Sequence, residues 1–184
     1  AADENCDGSA CGVAQWAKIW GDAPGSQNSK DVATDSGGNV YIVGQFTGAI
    51  QFGASALISA GALDVFVAKF DSSGNHLWSK KFGDAANQNA SAIAVSTTGD
   101  VLVTGYFQGA IDFGGGNLTT AGGSDVFVAK LDTNGNHVWS KRYGDASSQQ
   151  AFDVGLDSSG NAIVVGIYYG TPNFGAGAFP GPVA

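Results

Sequence analysis

Apolar and polar positions alternate along much of the chain with a period of two. In DVFVAKF, which begins at Asp64, the residues Asp64, Phe66, Ala68 and Phe70 share one parity, and Val65, Val67 and Lys69 share the other. That period sends successive side chains to opposite faces of a β-strand. A glycine-containing turn, DSSGN, follows, and HLWSKKF returns as a second strand. Three further runs, NVYIVGQF, DVLVTGYF and NAIVVGIY, are rich in β-branched and aromatic residues, and each follows a turn of the type SGG, TTG or SSG. No segment carries an apolar stripe at helical spacing long enough to compete. The pattern predicts an all-β chain built of hairpins.

The hairpins repeat. The stretch DVFVAKFDSSGNHLWSKKFGD returns 61 residues later as DVFVAKLDTNGNHVWSKRYGD, from Asp125. Gly44, Gly105 and Gly166 keep the same interval, as do Phe52, Phe113 and Phe174, each followed by glycine. Trp-x-Lys units start at Trp16, Trp78 and Trp139. Their first interval is one residue longer, and the additional residue falls in the Pro24-Gly25 loop, where a surface connection tolerates it. Each repeat holds about four principal strands: the stretch before the turn (KDVATD in the first copy), then the NVYIVGQF, DVFVAKF and HLWSKKF types. The segment AIQFGASALISAG is left over as an inserted loop or small hairpin. Four antiparallel strands at a fixed period predict propeller blades, each packing its apolar face on the next around a central channel.

Three linked motifs, W-x-K-x-Ω-G-D, D-S-x-G-N-V-Y-I-V-G and D-V-F-V-A-K-F-D, run from about Gln15 to the C-terminus. Together they resemble the SBBP family of bacterial β-propeller repeats, known from secreted and cell-surface proteins. The resemblance implies four-stranded antiparallel blades and a secreted, periplasmic or cell-surface bacterial setting. It implies no catalytic residue, because that family is defined by scaffold motifs. The expected organisation is an acidic, cysteine-containing tail at 1–14 and propeller repeats over 15–184, in units of about 15–63, 64–124 and 125–184. Propellers usually close with about four to eight blades, and roughly three units fall short of a ring. The first Trp-x-Lys strand has no DVFVAK partner before it, and PGPVA stands where a third DVFVAK is due. The expectation is therefore a partial propeller, completed either by further blades of a longer parent or by association of copies, two of which would supply roughly six blades.

Composition narrows the partners. The chain has 184 residues, 43% hydrophobic and only 13% charged, enough for a domain with a core. Its 29 glycines lack a collagen period and signal tight turns. Eight basic against sixteen acidic side chains give a formal charge of -8, which repels phosphate backbones and anionic membranes, so no nucleic-acid partner is expected. No apolar run is long enough to span a membrane. The chain starts at Ala1 and has no methionine, as a processed mature chain or a piece of something longer would. Cys6 and Cys11, in CDGSAC, fit a small disulfide loop of an oxidising compartment, with two free thiols on a frayed terminus as the alternative.

Candidate chemistry is sparse. Asp3, Glu4 and Asp7 surround Cys6, and the segment resembles the tail of a Cys/Asp/Gly metal-binding motif with a D-x-N-C-D-G core. Carboxylates so clustered suit calcium, the one candidate metal, although the upstream half of that motif is missing and a solvated acidic tail is the competing reading. The DSGGN, DSSGN and DTNGN loops offer Asp and Asn oxygens too, but Asp-capped turns with glycine at positive φ explain them better. His76 and His137 stand at one repeat position, where Ala14 stands in the first copy, and read as surface histidines. The pairs Asp64 with Lys69 and Asp125 with Lys130 read as blade-packing charges, and Trp16, Trp78 and Trp139 as packing between blades, against ligand-binding alternatives. Gly114-Gly115-Gly116-Asn117 lacks the Lys-Ser/Thr of a phosphate loop.

Three functions follow as expectations. The first is a non-catalytic binding or scaffold module for protein or glycan. The second is a structural protein that assembles into a ring or fibre through open blade edges. The third is an enzyme with a channel site shared by several blades.

Overall fold

The computed structural model describes residues 16–21, 25–175 and 177. In chain order the strands are β1 (Gln27–Thr34), β2 (Val40–Phe46), β3 (Ala49–Gln51), β4 (Ala56–Ile58), β5 (Asp64–Phe70), β6 (His76–Phe82) and β7 (Gln88–Val95). There follow β8 (Val101–Phe107), β9 (Ala110–Asp112), β10 (Asn117–Thr119), β11 (Asp125–Leu131), β12 (His137–Tyr143), β13 (Gln149–Leu156) and β14 (Ala162–Tyr168). Two complete antiparallel sheets form, in the orders β1-β2-β5-β6 and β7-β8-β11-β12. These are propeller blades 1 and 2. The pair β13-β14 is the first half of blade 3. The leftover segment of each full repeat is a small hairpin, β3-β4 or β9-β10. Among the described residues no helix is long and apolar enough to cross a membrane.

The blades converge on their first strands, for β7 packs against β1 on one side and β13 on the other. Each of these three strands carries a register shift, at Ser29/Asp31, Ala90/Ala92 and Ala151/Asp153. A bulge adds one unpaired residue and local twist. Here it turns Asp31 toward the next blade, where its Oδ2 accepts the Ile93 N–H at 2.9 Å.

The alternation read from DVFVAKF is the packing pattern. Phe66, Ala68 and Phe70 face one side of blade 1, in a cluster with Phe46, Ile50 and Phe52. Val65 and Val67 face the other, in the cluster that joins blade 1 to Val101, Val103, Phe107 and Phe127 of blade 2. In β11 the same parity holds, with Phe127, Ala129 and Leu131 toward blade 1 and Val126 and Val128 toward blade 3. Burying a large apolar side chain contributes about 1.5–3 kcal/mol. Blade-on-blade contact is therefore where the stability lies.

The invariant glycine of the second strand has a steric cause. A Cβ on Gly44 would meet the Phe66 ring at 2.5 Å, and one on Gly105 would meet Phe127 at 2.9 Å. The absent side chain lets the third strand's aromatic cross the second strand and reach Phe46 and Phe52 in blade 1, or Phe107 and Phe113 in blade 2.

Candidate functional site

The third-strand charges of the repeat are spent on the scaffold. Asp64 and Asp125 are fully buried, and each accepts from a cation of the strand beside it, Lys81 at 3.1 Å and Arg142 respectively. Asp64 also accepts the Ala60 N–H and Asp125 the Ala121 N–H, so each carboxylate ties the small-hairpin loop to the third strand. Asp64 and Lys69, read from the sequence as blade-packing charges, take separate partners. Lys69 is buried, lies 4.8 Å from the centre of the Tyr41 ring, and donates to the Thr133 carbonyl and hydroxyl of blade 2 at 3.2 and 3.0 Å.

A Gly-Asp corner links each blade to the next. The Asp84 carboxylate accepts the N–H groups of Ala86 and Ala110 and the Gln88 amide, while Gln88 Oε1 accepts the Asp84 N–H. Gln88 is fully buried and its amide also reaches the Gln108 carbonyl at 3.0 Å. Burial works against the charge on Asp84, but those donors outweigh it and hold its carboxyl below the usual range. Asp145 and Gln149 repeat the arrangement, with Ser147 and Thr171 donating to the carboxylate. Sequence reasoning missed these glutamines. The available signal was a glutamine four residues after the Asp of each WSKKFGD and WSKRYGD unit.

The Asp-x-x-Gly-Asn loops close on themselves. Asp71 accepts the Ser73 and Asn75 N–H groups through Oδ1 and the Asn75 amide through Oδ2, at 2.8–2.9 Å. Asp35, Asp132 and Asp157 do the same, and Gly38, Gly74, Gly135 and Gly160 take positive φ. This is the turn chemistry expected of those residues.

His76 and His137 are half-buried instead of lying on the surface. Each ring packs under a glycine of its blade's small hairpin, Gly53 or Gly115, where a Cβ would collide with it. Burial, with a smaller contribution from Lys18, depresses the His76 pKa. Asp3, Glu4 and Asp7, with Cys6 and Cys11, lie outside the described residues.

The tryptophans clamp neighbouring blades. Trp16 donates to the Ser72 carbonyl in the third-to-fourth-strand turn of blade 1, and Trp78 donates to Thr133 in the same turn of blade 2. Lys18 and Lys80 reinforce them, on the Gly74 carbonyl and the Asn136 side chain. Trp139 and Lys141 are the next members of the series, and the side chain of neither has a hydrogen-bond partner among the described residues. Trp139 instead borders an open apolar cavity of about 400 Å³, shared with Val126, Val128, Tyr143, Val164 and Phe174.

A second depression lies at the rim where the Gly-Asp corners run. It has a volume of about 340 Å³ and is lined by Leu63, Asn87, Asn89, Tyr106, Gln108, Ser124, Ser148 and Gln150. None of these residues is charged, although the chain carries a formal charge of -8. The side chains of Asn89, Tyr106, Gln108 and Gln150 make no hydrogen bond within the described residues. Their donors and acceptors point to a space a polar ligand can fill.

No protein-family model matches the chain. It is 27% identical over 158 residues to an uncharacterized WD repeat-containing protein of Acanthamoeba polyphaga mimivirus, across 77% of this chain and 11% of that protein. It is 27% identical over 139 residues to the regulatory protein FlaEY of Caulobacter vibrioides, across 72% of this chain and 15% of that protein. The chain therefore spans a small fraction of the length of either relative. The WD-repeat likeness and the repeated four-stranded antiparallel sheets together fit a β-propeller repeat.

Proposed function

We propose that this chain is a non-catalytic β-propeller repeat module that binds a neutral, polar partner, foremost another protein, at the Asn89–Gln150 groove. The observation that carries the reading is the groove itself: the amides of Asn89, Gln108 and Gln150 and the Tyr106 phenol have no hydrogen-bond partner among the described residues, on a scaffold whose repeated carboxylates are engaged in turns and blade corners. Such a surface complements the backbone and uncharged side chains of a protein, and buried polar groups left unmatched penalise a wrong partner. The WD-repeat likeness supports an interaction role. The SBBP resemblance supports a secreted or cell-surface bacterial setting for it.

A neutral glycan is the second reading, favoured by the half-buried Tyr106 ring beside Asn89 and Gln150. Calorimetric titration of the intact chain with neutral oligosaccharides and with uncharged extended peptides separates the two. The expected result is binding that falls at least about tenfold in Asn89→Ala/Gln150→Ala, the loss of one or two hydrogen bonds. Binding unchanged in that double variant would remove the groove from the account.

A further inference from the structure

The sequence holds a single Asn-Gly pair, Asn134-Gly135, and it falls in the turn that joins β11 to β12. The equivalent turn of blade 1 carries Ser73 at that place. An asparagine before glycine is the amide most open to attack by its own main chain, because a residue without a Cβ lets its backbone nitrogen approach the side-chain carbon. Asn134 is exposed, and its carboxamide has no hydrogen-bond partner among the described residues. The asparagines that close these turns, Asn39, Asn75, Asn136 and Asn161, instead each donate through the side-chain amide to the turn aspartate.

The main chain around that free amide is held from two sides. Within the turn, the Asn134 N–H donates to Asp132 Oδ1 and the Gly135 N–H to the Asp132 carbonyl, both at 2.9 Å, and Gly135 takes a φ of 77°. Blade 1 then closes over it. Trp78 and Lys69 donate to the Thr133 carbonyl at 3.0 and 3.2 Å. Gly135 is buried beneath the same side chains, for a Cβ there would lie 3.1 Å from the Trp78 ring and 3.1 Å from the Lys80 stem. The nitrogen that must attack is therefore hydrogen-bonded and covered, while the carbon it would attack belongs to an exposed residue.

We propose that Asn134 is a site of spontaneous deamidation whose rate is set by the grip of Trp78 and Lys69 on its turn, which makes the seam between blades 1 and 2 a chemical timer. When the turn opens, hydroxide takes the Gly135 amide proton and the nitrogen attacks Asn134 Cγ. A five-membered succinimide forms as the bond from Cγ to the side-chain nitrogen breaks, and that nitrogen leaves as ammonia after taking a proton from water. Water then adds to either ring carbonyl, and opening of the ring gives aspartate or isoaspartate. The sum is one water consumed and one ammonia released, with no change of oxidation state. Isoaspartate lengthens the main chain between Asp132 and Asn136 by one methylene, so the bonds that Asp132 makes to this turn no longer fit together and the Thr133 carbonyl is drawn from Trp78. The aged seam is weaker than the fresh one. This site is separate from the polar groove and stands whether or not that groove binds.

The test is incubation of the intact chain in mildly alkaline buffer, with peptide mapping by mass spectrometry to follow the amide-to-acid change at Asn134. The folded chain is expected to convert at least about a hundredfold more slowly than the same chain in urea, because a closed turn must open before it reacts. Trp78→Phe and Lys69→Met, which each remove one donor from the Thr133 carbonyl, are expected to raise the folded rate several-fold. Gly105→Ala perturbs blade 2 away from the turn and is expected to leave that rate unchanged. The aged chain is expected to unfold at lower urea than the fresh one, whereas Asn134→Ser, treated in the same way, keeps its midpoint. A folded rate equal to that in urea would overturn the proposal, as would equal acceleration in Gly105→Ala and Trp78→Phe, since the clamp would then not set the rate. So would an Asn134 that stays intact in both folded clamp variants while the chain in urea converts, or an equal loss of midpoint in aged Asn134→Ser.

Discussion

The indole nitrogen of Trp78 donates to the backbone carbonyl of Thr133 in the following blade at 3.0 Å. The contact joins two repeats at the point where the fourth strand of one passes the turn of the next. Lys69 approaches the same carbonyl, so a single peptide group receives two donors from blade 1. Trp78→Phe keeps most of the apolar contact with Tyr41 and loses the donor. Its expected cost is about 1 kcal/mol. Trp139→Phe, whose indole has no acceptor among the described residues, is expected to change stability by no more than about 0.5 kcal/mol. Urea unfolding of the two variants measures the contrast, and equal losses would mean that the bond contributes nothing.

Gly105 tests the crossing of aromatic and glycine. A Cβ there would enter the Phe127 ring and press on the Asn89 carbonyl. Gly105→Ala is expected to destabilise by about 1–3 kcal/mol through overpacking. Thermal unfolding of the variant checks this, and an unchanged melting temperature would show that the ring moves aside freely.

The buried amide of Gln88 serves the Asp84 N–H, the Asp84 carboxylate and the Gln108 carbonyl at once. Gln88→Leu fits the volume and satisfies none of them. A loss of about 2–4 kcal/mol is expected, from one or two orphaned polar groups. Denaturant titration decides, and a loss below about 0.5 kcal/mol would show that solvent replaces the amide.

Acid acts on the scaffold in two ranges. Burial and Lys18 depress the His76 pKa below 6.5, so the folded state holds it neutral while the unfolded chain takes up a proton. That contribution is complete above about pH 6.5 and is lost as pH falls through the depressed folded value. The turn and corner carboxylates of Asp71, Asp84, Asp132, Asp145 and Asp157 are also lowered. Their contribution holds above about pH 4 and disappears below it. Denaturation midpoints are expected to fall modestly from pH 7 to pH 5 and steeply below pH 4. His76→Gln should flatten the first part alone, and a midpoint that rises toward pH 5 would reverse the sign of the argument.

The strands, their order and the turns were legible in the sequence because each rests on local chemistry. DVFVAKF shows its two faces by alternation, and Asp71-Ser72-Ser73-Gly74-Asn75 shows its turn by composition. The third-strand charges were legible as scaffold but not in their pairing. Lys69 and Asp64 share a strand, yet their five-residue separation puts them on opposite faces, where Asp64 meets Lys81 across the ladder and Lys69 reaches another blade. The groove could not be read beforehand. Leu63, Asn89, Ser124 and Gln150 come together only through blade-on-blade packing, and each taken singly looks like a solvated loop or edge residue. The lack of an indole acceptor for Trp139 among the described residues also follows from neighbours and not from its own motif, which Trp78 shares.

Hydrogen exchange of the isolated chain at low concentration tests the central claim, that blades 1 and 2 are complete four-stranded sheets packed on one another. Along β2 and β8, each paired on both sides, the amides should exchange at least about a hundredfold more slowly than those at the tips of the Asp-x-x-Gly-Asn turns. Exchange along β8 as fast as at those turn tips would contradict the account, because the second blade would then not be a closed sheet.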